Sequence, residues 1–176
     1  MDIFKNLKLK KNIKFRIEDL KSENILLNHH LGLGDHINCN GMVNYLSSKF
    51  NKIYIPVKKK YFDMIKFMYK HNNKIELFVL DPSIDEVEQI NNFSLSNKLE
   101  ILRVGYDNLE SPIQESFYKQ IGLSYEISKK YFHIDYEKEK NIQLETELKK
   151  IYNIKNDYKL LHIEGSEGKF PEDQLK

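Results

Sequence analysis

The residues best equipped for chemistry lie between positions 28 and 42, in NHHLGLGDHINCNGM. His29, His30 and His36 bring three imidazoles to the stretch, Asp35 adds a carboxylate, and Cys39 follows. Gly32 and Gly34, two of the chain's seven glycines, flank Leu33. A carboxylate within hydrogen-bond reach of a substrate hydroxyl can take its proton as that hydroxyl attacks. Glycines let the backbone turn sharply and approach a ligand closely. Amides opening a helix near Asp35 would face anything anionic. A plainer reading fits the same residues: the glycines make a turn, Asp35 caps a helix as aspartates do, and the histidines are structural.

Other chemistries fit less well. A P-loop needs Lys and Ser or Thr after its last glycine, but Asp35 and His36 stand there. A dinucleotide fingerprint needs a third small residue where Ile37 stands, and an acid after the second strand, where Pro56-Val57-Lys58 supplies none. No cofactor is expected. Cys39 shares an apolar helix face with Val43 and Leu46, where thiols are inert. No metal is expected from His29, His30, Asp35 and His36, because adjacent strand residues point to opposite sides. A hydrolase or phosphatase would show G-x-S-x-G or an acidic pair after a strand, and neither occurs.

These residues need elements to hold them. Asn24–Asn28 (NILLN) is a short apolar run ending near glycines, as buried parallel strands read. From Asp35 to about Phe50, the apolar positions Cys39, Val43, Leu46 and Phe50 fall on one helical face. Lys52–Val57 is a second strand that stops at Pro56, and Tyr61–Lys70 returns to helical spacing. Lys74–Leu80 is a third strand, Asp81-Pro82-Ser83 opens a short helix, and Leu99–Val104 is a fourth strand. The alternation predicts an α/β fold: a Rossmann-like doubly wound parallel sheet with helices on both faces. The glycine turn then leaves the first strand at the carboxyl edge, where such sheets bind ligands. Beyond Gly105, helices are predicted at Gln114–Ile121, Ser124–Lys130 and Ile142–Tyr152, with Tyr131–Asp135 a short extended piece. Tyr158–Ile163 (YKLLHI) reads as one more strand. The expected organisation is a basic arm or peripheral helix over 1–22, a Rossmann-like domain over 23–157, and over 158–176 a last strand or the start of a further domain.

Composition sets the surroundings. The 176 residues are 40% hydrophobic and 31% charged, as suits a globular domain with a real core. A net charge of +2 gives no reason to expect a nucleic-acid partner. No apolar run reaches the roughly 20 residues of a membrane span. The basic N-terminus lacks a signal peptide's apolar core. With one cysteine there is no internal disulfide, and a cytoplasmic location is expected.

The run HHLGLGDHINCNGMVNYLSSKFNKIYIPV resembles the start of the GT-B glycosyltransferases related to bacterial heptosyltransferases. ESFYKQIGLSYEISKKYFHID resembles the stretch closing their N-terminal half, and YKLLHIEGSEG resembles the first strand and loop of their nucleotide-sugar-binding half. The resemblance implies the N-terminal half of a GT-B fold, and transfer of sugar from a nucleotide-sugar donor to a glycan or other hydroxyl acceptor. Gly34 and Asp35 match the family's Gly-Asp pair, which makes Asp35 the candidate general base. Gly32 and Gly34 would keep the backbone clear of the acceptor, and His29, His30 and His36 would bind its hydroxyls or phosphate. Lys58-Lys59-Lys60 would draw in an anionic acceptor, or form a solvated loop. Almost all of the family's donor-binding half is missing, so efficient transfer by this chain alone is not expected. The alternative is a non-catalytic Rossmann-like binding or assembly module, pairing through its sheet edge as a homo-oligomer or with another protein.

Overall fold

The computed structural model describes residues 13–106, 110, 112–155, 164–165 and 168–169. The chain divides into two units, Met1–Asp135 and Tyr136–Lys176. The first holds a parallel sheet of five strands: β1 (Ile13–Lys14), β2 (Asn24–Asn28), β3 (Lys52–Lys58), β4 (Ile75–Leu80) and β5 (Glu100–Arg103), in the spatial order β1-β5-β2-β3-β4. Seven helices accompany the strands among the described residues: α1 (Leu33–Asn38), α2 (Asn40–Ser47), α3 (Phe62–Met68), α4 (Glu86–Ser96), α5 (Ile113–Gln120), α6 (Glu126–Lys130) and α7 (Lys138–Ile151).

Alternation along the strands builds a core on each face of the sheet. Ile25 and Leu27 of β2 join Ile53, Ile55 and Val57 of β3 beneath α2, α3 and α5, where Val43, Leu46, Ile65, Phe117 and Tyr118 are buried. Leu26 points the other way, to Ile101, Ile90 of α4, Leu80 and Leu99. With apolar residues needed on both sides, β2 has no polar face, so it reads as a continuous apolar run. The expected Rossmann-like doubly wound sheet is therefore present, with β2 at its centre between β3 and β5.

Several boundaries differ from the sequence reading. The helix expected from Asp35 to about Phe50 is two helices, parted at Cys39. Asp35 is the third residue of α1 and Gly32 is its N-cap. β3 does not stop at Pro56 but continues to Lys58. Its ladder with β2 ends at Leu26–Tyr54, so Pro56 lies where β2 needs no amide from it. The helix placed at Asp81-Pro82-Ser83 starts at Glu86, because Asp81 Oδ1 accepts from the Ser83 amide and hydroxyl in a local turn. Asp85 is the true cap, accepting from the Glu88 amide at 2.8 Å. Tyr131–Asp135 forms no strand. The strand expected at 158–163 lies outside the described residues.

The second unit carries α7, whose Ile142, Leu144 and Ile151 are exposed within it, and an antiparallel pair, β6 (Glu164–Gly165) with β7 (Gly168–Lys169). No described helix is long and apolar enough to cross a membrane.

Candidate functional site

The order β4-β3-β2-β5 means that successive connections depart on opposite sides of the boundary between β2 and β5. In open parallel sheets this switch point leaves a crevice at the carboxyl ends of the two strands. The turn after β2 and the turn after β5 meet there.

On the β2 side, His29 is fully buried and its Nδ1 faces the His30 carbonyl oxygen. The chain enters α1 at Gly32, whose carbonyl accepts from the His36 amide at 3.2 Å. Neither Gly32 nor Gly34 has a positive φ; among the described residues, the glycines that do are Gly105 and Gly122. The two are explained by space instead. A β-carbon on Gly32 would stand 2.7 Å from Asp35 Oδ2, so the carboxylate lies folded back over a position only glycine leaves clear. A β-carbon on Gly34 would meet nothing within 4 Å, and Gly34 itself is exposed. The backbone beside the carboxylate is thus bare and open to solvent. Asp35 is partly exposed, and α1 has no side-chain cap bond.

The histidines divide into two kinds. His29 and His36 are interior residues packed edge to face beneath the turn, with ring centroids 4.4 Å apart. His29 Nε2 and both ring nitrogens of His36 have no hydrogen-bond partner among the described residues. Burial pushes His29 below the ordinary histidine range, its bond to His30 and the charge of Asp35 opposing that. Burial, then the neighbouring His29, brings His36 down to about 2. Both rings are therefore neutral, and neither presents a surface to solvent. His30 is the partly exposed one.

On the β5 side, Gly105 has φ +84° and passes 2.9 Å, at its missing β-carbon, from the Phe117 ring. That turn aims Tyr106 back across the gap. Its hydroxyl lies 3.2 Å from both Asn28 Oδ1 and the His29 carbonyl oxygen. The Tyr106 ring meets the His30 ring at 4.8 Å, and the Arg103 guanidinium lies 4.4 Å from its centroid. Burial raises the Tyr106 pKa, Arg103 pulls it down, and the charges of Glu86 and Asp35 push it up. The crevice thus gathers a carboxylate, a half-exposed imidazole, a phenol and a guanidinium around a bare helix start. The sequence reading missed Arg103 and Tyr106. Their signal was a basic residue closing an apolar strand, with Gly-Tyr after it.

At the carboxyl ends of β3 and β4, Lys58, Lys59 and Lys60 line a groove of about 590 Å³ with Leu80, Asp81, Pro82, Ile84 and Glu86. Lys58 is ion-paired to Glu86 at 2.8 Å, whereas Lys59 and Lys60 are exposed. Cys39 is buried in the core beneath α2, and burial pushes its thiol pKa far up. It is no nucleophile in the folded chain. The described His, Cys, Asp and Glu donors that come within metal-ligand range of one another are His71, His133 and Asp135.

No protein-family model matches this chain, and no curated protein or solved structure matches it significantly.

Proposed function

We propose that this chain is the acceptor-side domain of a glycosyltransferase, with Asp35 the base that takes the proton of the attacking hydroxyl. The observation that carries the reading is the placement of Asp35. Its carboxylate lies over Gly32 beside the exposed Gly34, at the carboxyl edge of the sheet and next to the switch-point crevice. An acceptor sugar lying on Gly34 would bring a hydroxyl to that carboxylate, with His30 and Tyr106 at hand for its other hydroxyls. Arg103 and the exposed Lys59 and Lys60 suit an acceptor bearing phosphate or carboxylate. His29 and His36 serve from beneath, as packing that sets the turn. The donor would be a nucleotide sugar, and its binding half would complete the cleft.

The test is Asp35→Asn in the full product of the reading frame, assayed for nucleotide release from a panel of nucleotide sugars with glycan acceptors. Asparagine keeps the shape but accepts no proton. Melting should stay near normal while transfer falls roughly 10²–10⁴-fold. Release by the wild type that the variant leaves unchanged would remove Asp35 from the chemistry. Glycan binding without any release would favour the non-catalytic module.

A further inference from the structure

A second cluster of side chains, built on the α2 face that carries Asn40 and Asn44, takes no part in the proposed transfer. We propose that His71, His133 and Asp135 form a binding site for a divalent transition-metal ion of the zinc class. One ligand atom from each of the three lies within 4.8 Å of the others. The His71 and His133 rings stand 4.2 Å apart, edge to face. His133 Nε2 is 3.1 Å from Asp135 Oδ1, close to the roughly 3.3 Å between neighbouring ligands of a tetrahedral zinc with bonds near 2.0 Å.

The residues behind the cluster hold it in place. Asn40, fully buried, clamps the His133 backbone at both ends: Oδ1 accepts from the His133 amide at 2.8 Å, and Nδ2 donates to its carbonyl at 3.1 Å. One turn along α2, Asn44 commits its amide hydrogens to Asn40 Oδ1 at 3.1 Å and the Tyr131 carbonyl at 3.2 Å. It therefore meets His71 only as an acceptor, with Oδ1 3.3 Å from His71 Nε2. This network assigns the proton to Nε2 and leaves the lone pair on Nδ1. An acceptor behind an imidazole is what orients ligating histidines in metal sites.

The donor set selects the ion. Two imidazoles and one carboxylate suit Zn²⁺, Co²⁺ or Ni²⁺; Ca²⁺ and Mg²⁺ prefer all-oxygen shells. His71 and His133 are exposed, so solvent would supply the fourth ligand. Lys70 Nζ lies 3.7 Å from Asp135 Oδ2 and opposes a cation, so the ion takes Oδ1 and the lysine keeps Oδ2. Once bound, the ion ties the turn after α3 to the segment after α6.

Untagged protein, stripped with chelator and desalted, is titrated with ZnCl₂ by calorimetry and with CoCl₂ by visible absorption. The expected result is one equivalent bound, with the intense cobalt bands of four-coordination. His71→Ala and His133→Ala should each weaken binding by more than about 100-fold, beyond what loss of an outer-shell partner costs. Far-UV circular dichroism confirms that the variants are folded. No binding of either ion, or one equivalent retained by the His71→Ala/His133→Ala double variant, overturns the proposal.

Discussion

The Tyr118 hydroxyl and the Met42 amide meet at 3.2 Å across the break between α1 and α2. The same hydroxyl donates to the Asn38 carbonyl at 2.8 Å. A helix interrupted at Cys39 strands an acceptor on one side and a donor on the other. One buried phenol, contributed by α5, serves both. Tyr118→Phe removes both bonds while keeping the ring, and should cost about 1–3 kcal/mol, since the groups left behind are buried. Urea unfolding of the two proteins measures it. An unchanged midpoint would mean that water replaces the hydroxyl.

Two helix glycines should respond in opposite ways. A β-carbon on Gly41 would stand 2.5 Å from the Ser128 carbonyl oxygen and 2.8 Å from that of Ile127, both backbone atoms that cannot swing aside. Gly41→Ala should destabilise by about 1–3 kcal/mol, the cost of overpacking. Gly34→Ala should be neutral or stabilise by up to about 1 kcal/mol, because alanine suits a helix and nothing there is struck. In glycan titrations, however, Gly34→Ala should weaken binding by crowding the acceptor. A stabilised variant with unaltered glycan binding would move the acceptor elsewhere.

Acid should unfold the protein through its buried histidines. His29 and His36 are held below the ordinary value of 6.5, His36 at about 2, so the unfolded chain takes up protons that the fold refuses. Their contribution is complete above about pH 6.5 and shrinks as pH falls, by up to about 1.4 kcal/mol per pH unit for each ring. His36→Gln should flatten the loss of stability between about pH 6.5 and about pH 5. Equal slopes for variant and wild type would show that His36 is not buried neutral.

Cys39 offers a reporter of opening. Fully buried, with its pKa raised by burial and then by Asp35, it should react with a thiol reagent only when α2 lifts from the sheet. Labelling should be slow in the wild type and faster in Gly41→Ala. Rapid labelling of the native protein would contradict the buried placement.

What the sequence made legible was whatever local pattern decides. β2 stood out because a strand covered on both faces keeps its middle, Ile25-Leu26-Leu27, apolar without alternation. The glycines before Asp35 were visible as a turn, although for Gly32 space beneath the Asp35 carboxylate, rather than backbone freedom, proved to be the reason. The break at Cys39 was invisible: Cys39, Val43, Leu46 and Phe50 keep helical spacing straight through it, and its partner Tyr118 lies far along the chain. Arg103 and Tyr106 join the crevice only because β5 lies beside β2, a matter of strand order that periodicity does not encode. His71, His133 and Asp135 meet for a similar reason, brought together by two asparagines of α2.

The strand order also sets a timetable. β3 and β4 pair across a single intervening helix, whereas Ile25 of β2 pairs with Glu100, so the central strand is synthesised early and completed late. Until β5 emerges, one edge of β2 shows unpaired amides and both of its faces are apolar, a template for pairing with another chain. Closing so long a loop is slow. The crevice that gathers Asp35, His30 and Tyr106 is therefore among the last features to form, and a chain stalled before β5 docks would have its apolar strands in place but no site.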